Sequence, residues 1–136
     1  MDSNHHHLLT SALELALNVL EKNGTFLPFC KGETESGQQF VYTPSSDSNF
    51  SCKQAYESIR SHVLADVTAG NLSAVAFCFD TQVRLSDSNT AIPAIEIRLH
   101  QKGQRAAVWY FVYRMEGSEA RVMEYYTSGA DEDLFA

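Results

Sequence analysis

AIPAIEIRLHQKGQRAAVWYFVY, running from Ala91 to Tyr113, is the stretch whose reading decides the fold. Ile95, Ile97 and Leu99 alternate with Glu96, Arg98 and His100, the two-residue period of a strand with one dry and one wet face. Gln101 to Arg105 is a short polar connection containing one glycine, suited to a hairpin with a bulge. Val108 to Tyr113 is β-branched or aromatic throughout, a composition that fits a pleated, packed surface.

Strands are expected on both sides of this hairpin. Ala74 to Leu85 sets Val75, Phe77, Phe79, Val83 and Leu85 against Cys78, Asp80, Gln82 and Arg84. Ser86 to Thr90 reads as a turn, Glu116 to Ser118 as another, and Ala120 to Thr127 as the last strand. With no helix between them, these four strands must be antiparallel.

Upstream, Ser11 and Glu14 have capping-box spacing, and Leu13, Ala16, Leu17 and Leu20 form an apolar stripe. They predict a first helix over 11–23, ended by Asn23-Gly24. Thr25 to Phe29 contains Pro28, which cannot donate to a sheet ladder, so an edge strand is expected there. Cys30 to Gln38 reads as a turn, Gln39 to Thr43 as a second strand, and Ser45 to Asn49 as a polar loop. Ser51 and Gln54 form a second capping box with Phe50 as a staple, and Tyr56, Ile59, Val63 and Val67 share one helical face ended by Ala69-Gly70. The expectation is an α+β domain of order α-β-β-α-β-β-β-β, about six antiparallel strands with both helices on one face. The domain spans 8–130, between loose ends at 1–7 and 131–136.

The chain has 136 residues, 44% of them hydrophobic, and a formal net charge of −7. That length and composition suit one globular domain with a real core. Ten scattered basic residues argue against a nucleic-acid partner, because phosphate neutralisation needs a concentrated Lys/Arg surface. A basic partner protein fits the charge, as does acidity kept for solubility. Cys30, Cys52 and Cys78 are odd in number and lack C-x-x-C spacing, which fits a reducing compartment. No apolar run is long enough to span a bilayer and no signal peptide is visible, so a cytoplasmic location is expected. His5 to His7 is open to two readings, a metal-binding run or a purification-tag remnant; consecutive histidines on a loose end make a poorly preorganised site, and no metal or cofactor is assigned.

Two segments carry a resemblance. LEKNGTFLPF, Leu20 to Phe29, resembles the helix followed by Gly-x-Phe-x-Pro-Phe that opens a set of small bacterial α+β proteins. LSAVAFCFDTQVRL, followed by AIEIRLH ending at His100, resembles the A-V-A-x-x-x-D-x-x-V and A-I-x-I-x-L-x-H strands of the same set. Where that set often ends its third meander strand on Pro-Tyr, this chain has Val112-Tyr113. The resemblance implies a bacterial origin and the α+β fold, and no catalytic residue.

Glu96, Arg98 and His100 share a strand face and are the most suggestive polar set, with Asp80, Gln82 and Arg84 as the matching polar row and Tyr110 beside them. Glu96 to His100 spans about 13 Å along a strand, too far to ligate one metal together. A solvated face laced with cross-strand ion pairs is the plain alternative. The hairpin has two candidate registers. A tight turn at Lys102-Gly103 opposes Glu96 to Trp109, whereas a five-residue loop opposes Glu96 to Tyr110 and Ile97 to Trp109. The second is favoured because it buries Trp109 and Phe111. Cys30 precedes Lys31, and a neighbouring ammonium would favour its thiolate, but no partner base is evident; Cys78 reads as packing. No nucleophile elbow, zinc-protease helix, phosphate loop or dinucleotide fingerprint is present. The expected function is therefore a non-enzymatic protein-binding domain of adaptor, immunity-type or chaperone-like role, using the sheet face or the 131–135 tail. A pocket-bearing small-molecule binder or enzyme, with polar groups drawn from Tyr42, Asp80, Glu96, His100 and Tyr110, is the second expectation. A self-associating structural protein, a homodimer pairing through the sheet face, is the third.

Overall fold

The computed structural model describes residues 3–44, 51–84, 90–130, 132, 134 and 135. In chain order the elements are α1 (Ser3–Asn23), β1 (Phe29–Glu33), β2 (Gln39–Tyr42), α2 (Cys52–Thr68), β3 (Ala74–Arg84), β4 (Ala91–Gln101), β5 (Gln104–Glu116) and β6 (Glu119–Gly129). The strands form one antiparallel sheet in the order β2-β1-β3-β4-β5-β6. The α+β class, the six strands and the order of elements match the expectation from sequence. The 45–50 loop, the Phe50 staple and the Ser86 to Asn89 turn lie outside the described residues.

The expected placement of both helices on one face is corrected. Leu8, Ala12, Ala16 and Leu20 of α1 pack with Ala74, Ala76, Cys78, Ile95, Ile97 and Leu99. Ile59 and Val63 of α2 pack with Cys30, Val75 and Phe77. Successive strand residues point to opposite faces, so one helix lies on each side. The reason is legible in β3, where Ala74 to Cys78 are all buried: a strand covered on both faces reads as a continuous apolar run, not an alternation. Each fully buried leucine or isoleucine in these clusters contributes roughly 1.5–3 kcal/mol relative to exposure.

Three local expectations also shift. The first helix starts at Ser3 rather than Ser11, so Ser11 is mid-helix and caps nothing. The strand placed at Thr25 to Phe29 begins at Phe29 and runs through Cys30 to Glu33; it is interior, with β2 at the sheet edge, so Pro28 ends a connector and removes no ladder bond. The hairpin has the favoured pairings, Glu96 with Tyr110 and Ile97 with Trp109, but not the five-residue loop. Gln101 pairs with Gln104 across a tight Lys102-Gly103 turn, with Gly103 at φ 80°, and the register shifts between Leu99 and Gln101. Against His100, β5 therefore sets two residues, Arg105 and Ala106, a bulge that moves every later pair by one.

Candidate functional site

Helix α2 lies against β1 and β2, its Tyr56 reaching Phe77 and Phe79 of β3 at ring distances of 5.4 and 5.3 Å. Its close approach is to that edge of the sheet, and toward β4 its Tyr56 side chain extends to Arg98. The register lays a transverse row there, Phe79, Glu96, Tyr110 and Tyr126, each directly opposite the next. A second row runs Phe77, Arg98, Val108 and Ser128. Glu96, Arg98, Val108, Tyr110 and Ser128 of these rows, with His100, Gly129, Ala130 and Glu132, line a concavity of about 610 Å³.

Of the residues singled out from sequence, Glu96, Arg98, His100 and Tyr110 are thus brought together. Asp80, Gln82 and Arg84 are not. They occupy even positions of β3, on the α1 face, opposite Ile95, Pro93 and Ala91. Asp80 there accepts hydrogen bonds from the hydroxyls of Thr25, at 2.7 Å, and Tyr113, at 3.1 Å. The two polar rows were matched by assuming one dry face for both strands; in the register, the odd apolar positions of β3 stand beside the polar positions of β4. Tyr42, offered as a pocket group, instead donates to Asp66 of α2 at 2.7 Å.

Within the cleft Arg98 Nε lies 2.6 Å from Glu96 Oε2, and its guanidinium stands 4.5 Å over the Phe79 ring and 5.5 Å over Tyr56. Burial works against the charge on Arg98, but the hydrogen bond and charge of Glu96 outweigh it and hold its pKa above the ordinary arginine value. His100 is 2% exposed; its ring meets Phe77 edge-on at 5.9 Å, and its Nδ1 accepts the Leu134 N–H at 3.4 Å. Glu132 accepts from Arg60 of α2 at 2.9 Å. The Arg60 hydrogen bond, reinforced by the Arg60 charge, holds the Glu132 carboxyl below the usual range. Glu124, also on this side, accepts from the Tyr126 hydroxyl. Glu124 was expected from sequence only as a cross-strand ion-pair partner for Arg98, Tyr126 was missed, and Glu132 was read only as part of the 131–135 tail. The signal for the first two is cross-strand pairing with Val112 and Tyr110, which a single strand's pattern does not carry.

The cysteine reading is corrected. Cys30 and Lys31 are neighbours on a strand and point to opposite faces. Cys30 is fully buried on the α2 side, and burial, then the nearby Cys78, pushes its thiol well up, which makes it inert. Burial likewise pushes the Cys78 thiol up. Lys31 instead donates to Ser11 of α1, whose hydroxyl donates to Gln39 Oε1 at 2.9 Å, while Gln39 Nε2 donates to Glu33 at 3.0 Å. This chain of polar groups satisfies the buried Glu33 under α1.

Among the described residues no group of three or more His, Cys, Asp and Glu side chains is arranged to hold a metal ion. No described helix is long and apolar enough to cross a membrane. No family model, curated protein or solved structure matches the chain.

Proposed function

We propose that the chain is a non-enzymatic protein-binding domain that takes a basic segment of a partner protein on the β4–β6 half of its α2-side face. The observation that carries this is the cross-strand row Glu96–Tyr110–Tyr126, exposed at its Tyr126 end, with exposed Glu124 alongside Tyr126 and Glu132 at the rim of the concavity. Tyrosine faces next to carboxylates suit guanidinium and ammonium groups, which gain from the ring quadrupole and from charge pairing together. The chain's net charge of −7 would speed the encounter with a basic partner. An adaptor, immunity-type or chaperone-like role follows from such a surface. The test is fluorescence anisotropy with labelled Arg/Lys-rich and Asp/Glu-rich decapeptides. Binding of the basic peptide alone, falling with salt and weakened by Tyr126→Ala and Glu124→Gln, is the expected result. Equal binding of both peptides, or indifference to both substitutions, overturns it.

The volume of the cleft, about 610 Å³, supports a second reading, since small-molecule sites fall between roughly 300 and 1,000 Å³. A thermal-shift screen against small organic cations, with a hit abolished by Tyr110→Ala, would single out that reading.

A further inference from the structure

The end of the chain folds back over α2. Arg60 donates twice to Glu132, from Nε to Oε1 at 3.3 Å and from Nη2 to Oε2 at 2.9 Å. Two residues on, the Leu134 N–H reaches His100 Nδ1. The side chains of Leu134 and Phe135 pack against the cluster that holds Ile59, Val63, Val75 and Phe77. One furrow, between α2 and β4, therefore engages a carboxylate, a backbone N–H and two consecutive apolar side chains.

We propose that this furrow is a recognition site for a short segment of the form Glu-x-Leu-Phe, and that the chain's own tail is its releasable occupant. The chemistry of the furrow is selective at each position. A guanidinium held beside Tyr56 favours an acidic residue over a neutral one. The imidazole acceptor is 98% buried by exposure, being 2% accessible, and orders the backbone as a strand or cap partner would. The Phe77 and Val75 floor accepts the apolar pair. The grip is also modest. The Arg60 and Glu132 side chains are 34% and 46% exposed, the bond to His100 is long at 3.4 Å, and Leu134 and Phe135 are only partly buried. A segment held this way opens locally without unfolding the sheet. When it leaves, Glu132 leaves the rim of the neighbouring cleft as well. The inference uses the α2–β4 furrow and needs no basic partner, so it stands or falls apart from the proposed function.

The test uses the chain ended at Ala130 and a fluorescein-labelled heptapeptide, ADEDLFA, corresponding to residues 130–136. Fluorescence anisotropy is expected to show saturable binding to the shortened chain and about tenfold weaker apparent binding to the intact chain, whose own tail competes. Arg60→Glu in the shortened chain, or Leu134→Ser with Phe135→Ser in the peptide, should each weaken binding by about tenfold or more. If the shortened chain does not fold, the full-length Leu134→Ser, Phe135→Ser double variant replaces it under the same expectations. Absence of saturable binding, equal binding to the intact chain, or indifference to Arg60→Glu overturns the proposal.

Discussion

Arg98 is bonded to Glu96, its neighbour two residues back on the same face of β4, and is stacked over Phe79 of the adjoining strand. The side chain of Glu96 is only 13% exposed, so its carboxylate depends on that guanidinium for most of its compensation. Arg98→Met keeps the apolar stem and removes the charge. It is expected to destabilise the fold by about 1–3 kcal/mol, because a largely desolvated carboxylate is left without its cation. Adding Glu96→Gln should recover part of the loss. Urea denaturation midpoints of the two single variants and the double variant measure the coupling, and strict additivity would show that the pair contributes nothing of its own.

Ser51 accepts the Gln54 N–H at 3.1 Å while the Gln54 side chain accepts the Ser51 N–H at 3.0 Å. Two donors that α2 would otherwise leave orphaned are satisfied reciprocally. Ser51→Ala is expected to cost about 1 kcal/mol, and Ser51→Gly a few tenths. Denaturation midpoints give the magnitudes, and amide exchange at the start of α2 should rise in the alanine variant.

These two sites differ in how far the sequence discloses them. A capping box is local, and the Ser51-x-x-Gln54 spacing announces it. The same spacing at Ser11 and Glu14 misleads, because α1 continues upstream to Ser3 and an uninterrupted helix has no use for a cap. The meander is also legible, since alternation and turn residues are local signals. Which face of β3 joins which face of β4 is not local. It depends on α1 and α2 covering opposite sides, and the five buried residues from Ala74 to Cys78 are the one mark of it in the chain. The cleft inherits this: Glu96, Arg98 and His100 are visible as a set, whereas Val108 and Ser128 join them only through register and Glu132 only through the path of the tail.

Gly32 stands mid-strand in β1, where its lack of a side chain matters for space and not for backbone freedom. A Cβ there would sit 3.0 Å from Leu72 Cδ2 and 3.1 Å from Tyr42 Cε1. Neither neighbour yields readily, since Leu72 is buried and Tyr42 is tied to Asp66 at 2.7 Å. Gly32→Ala should therefore destabilise by about 1–3 kcal/mol through overpacking. Gly32→Ala combined with Leu72→Val, which trims one methylene, should be less destabilised than Gly32→Ala alone. Thermal and urea unfolding of the pair decide the matter.

Tyr113 donates its hydroxyl to Asp80 at 3.1 Å on the α1 face. Burial first, then the charge and hydrogen bond of Asp80, push the phenol from its ordinary 10 up to about 12. The folded chain thus holds this proton more tightly than the unfolded chain does. The stabilisation is complete below pH 10 and is lost as the pH climbs from 10 through about 12. Tyr113→Phe removes both the hydrogen bond and the titration. The variant should be less stable than the parent by on the order of 1 kcal/mol near neutral pH, and the gap should narrow as the pH rises above 10. Tyr42, whose pKa burial and Asp66 also raise, titrates in both proteins and cancels in the comparison. Urea unfolding of the two chains between pH 8 and pH 12 provides the measurement; a gap that stays constant across that range would show that the Tyr113 proton is not what the fold is holding.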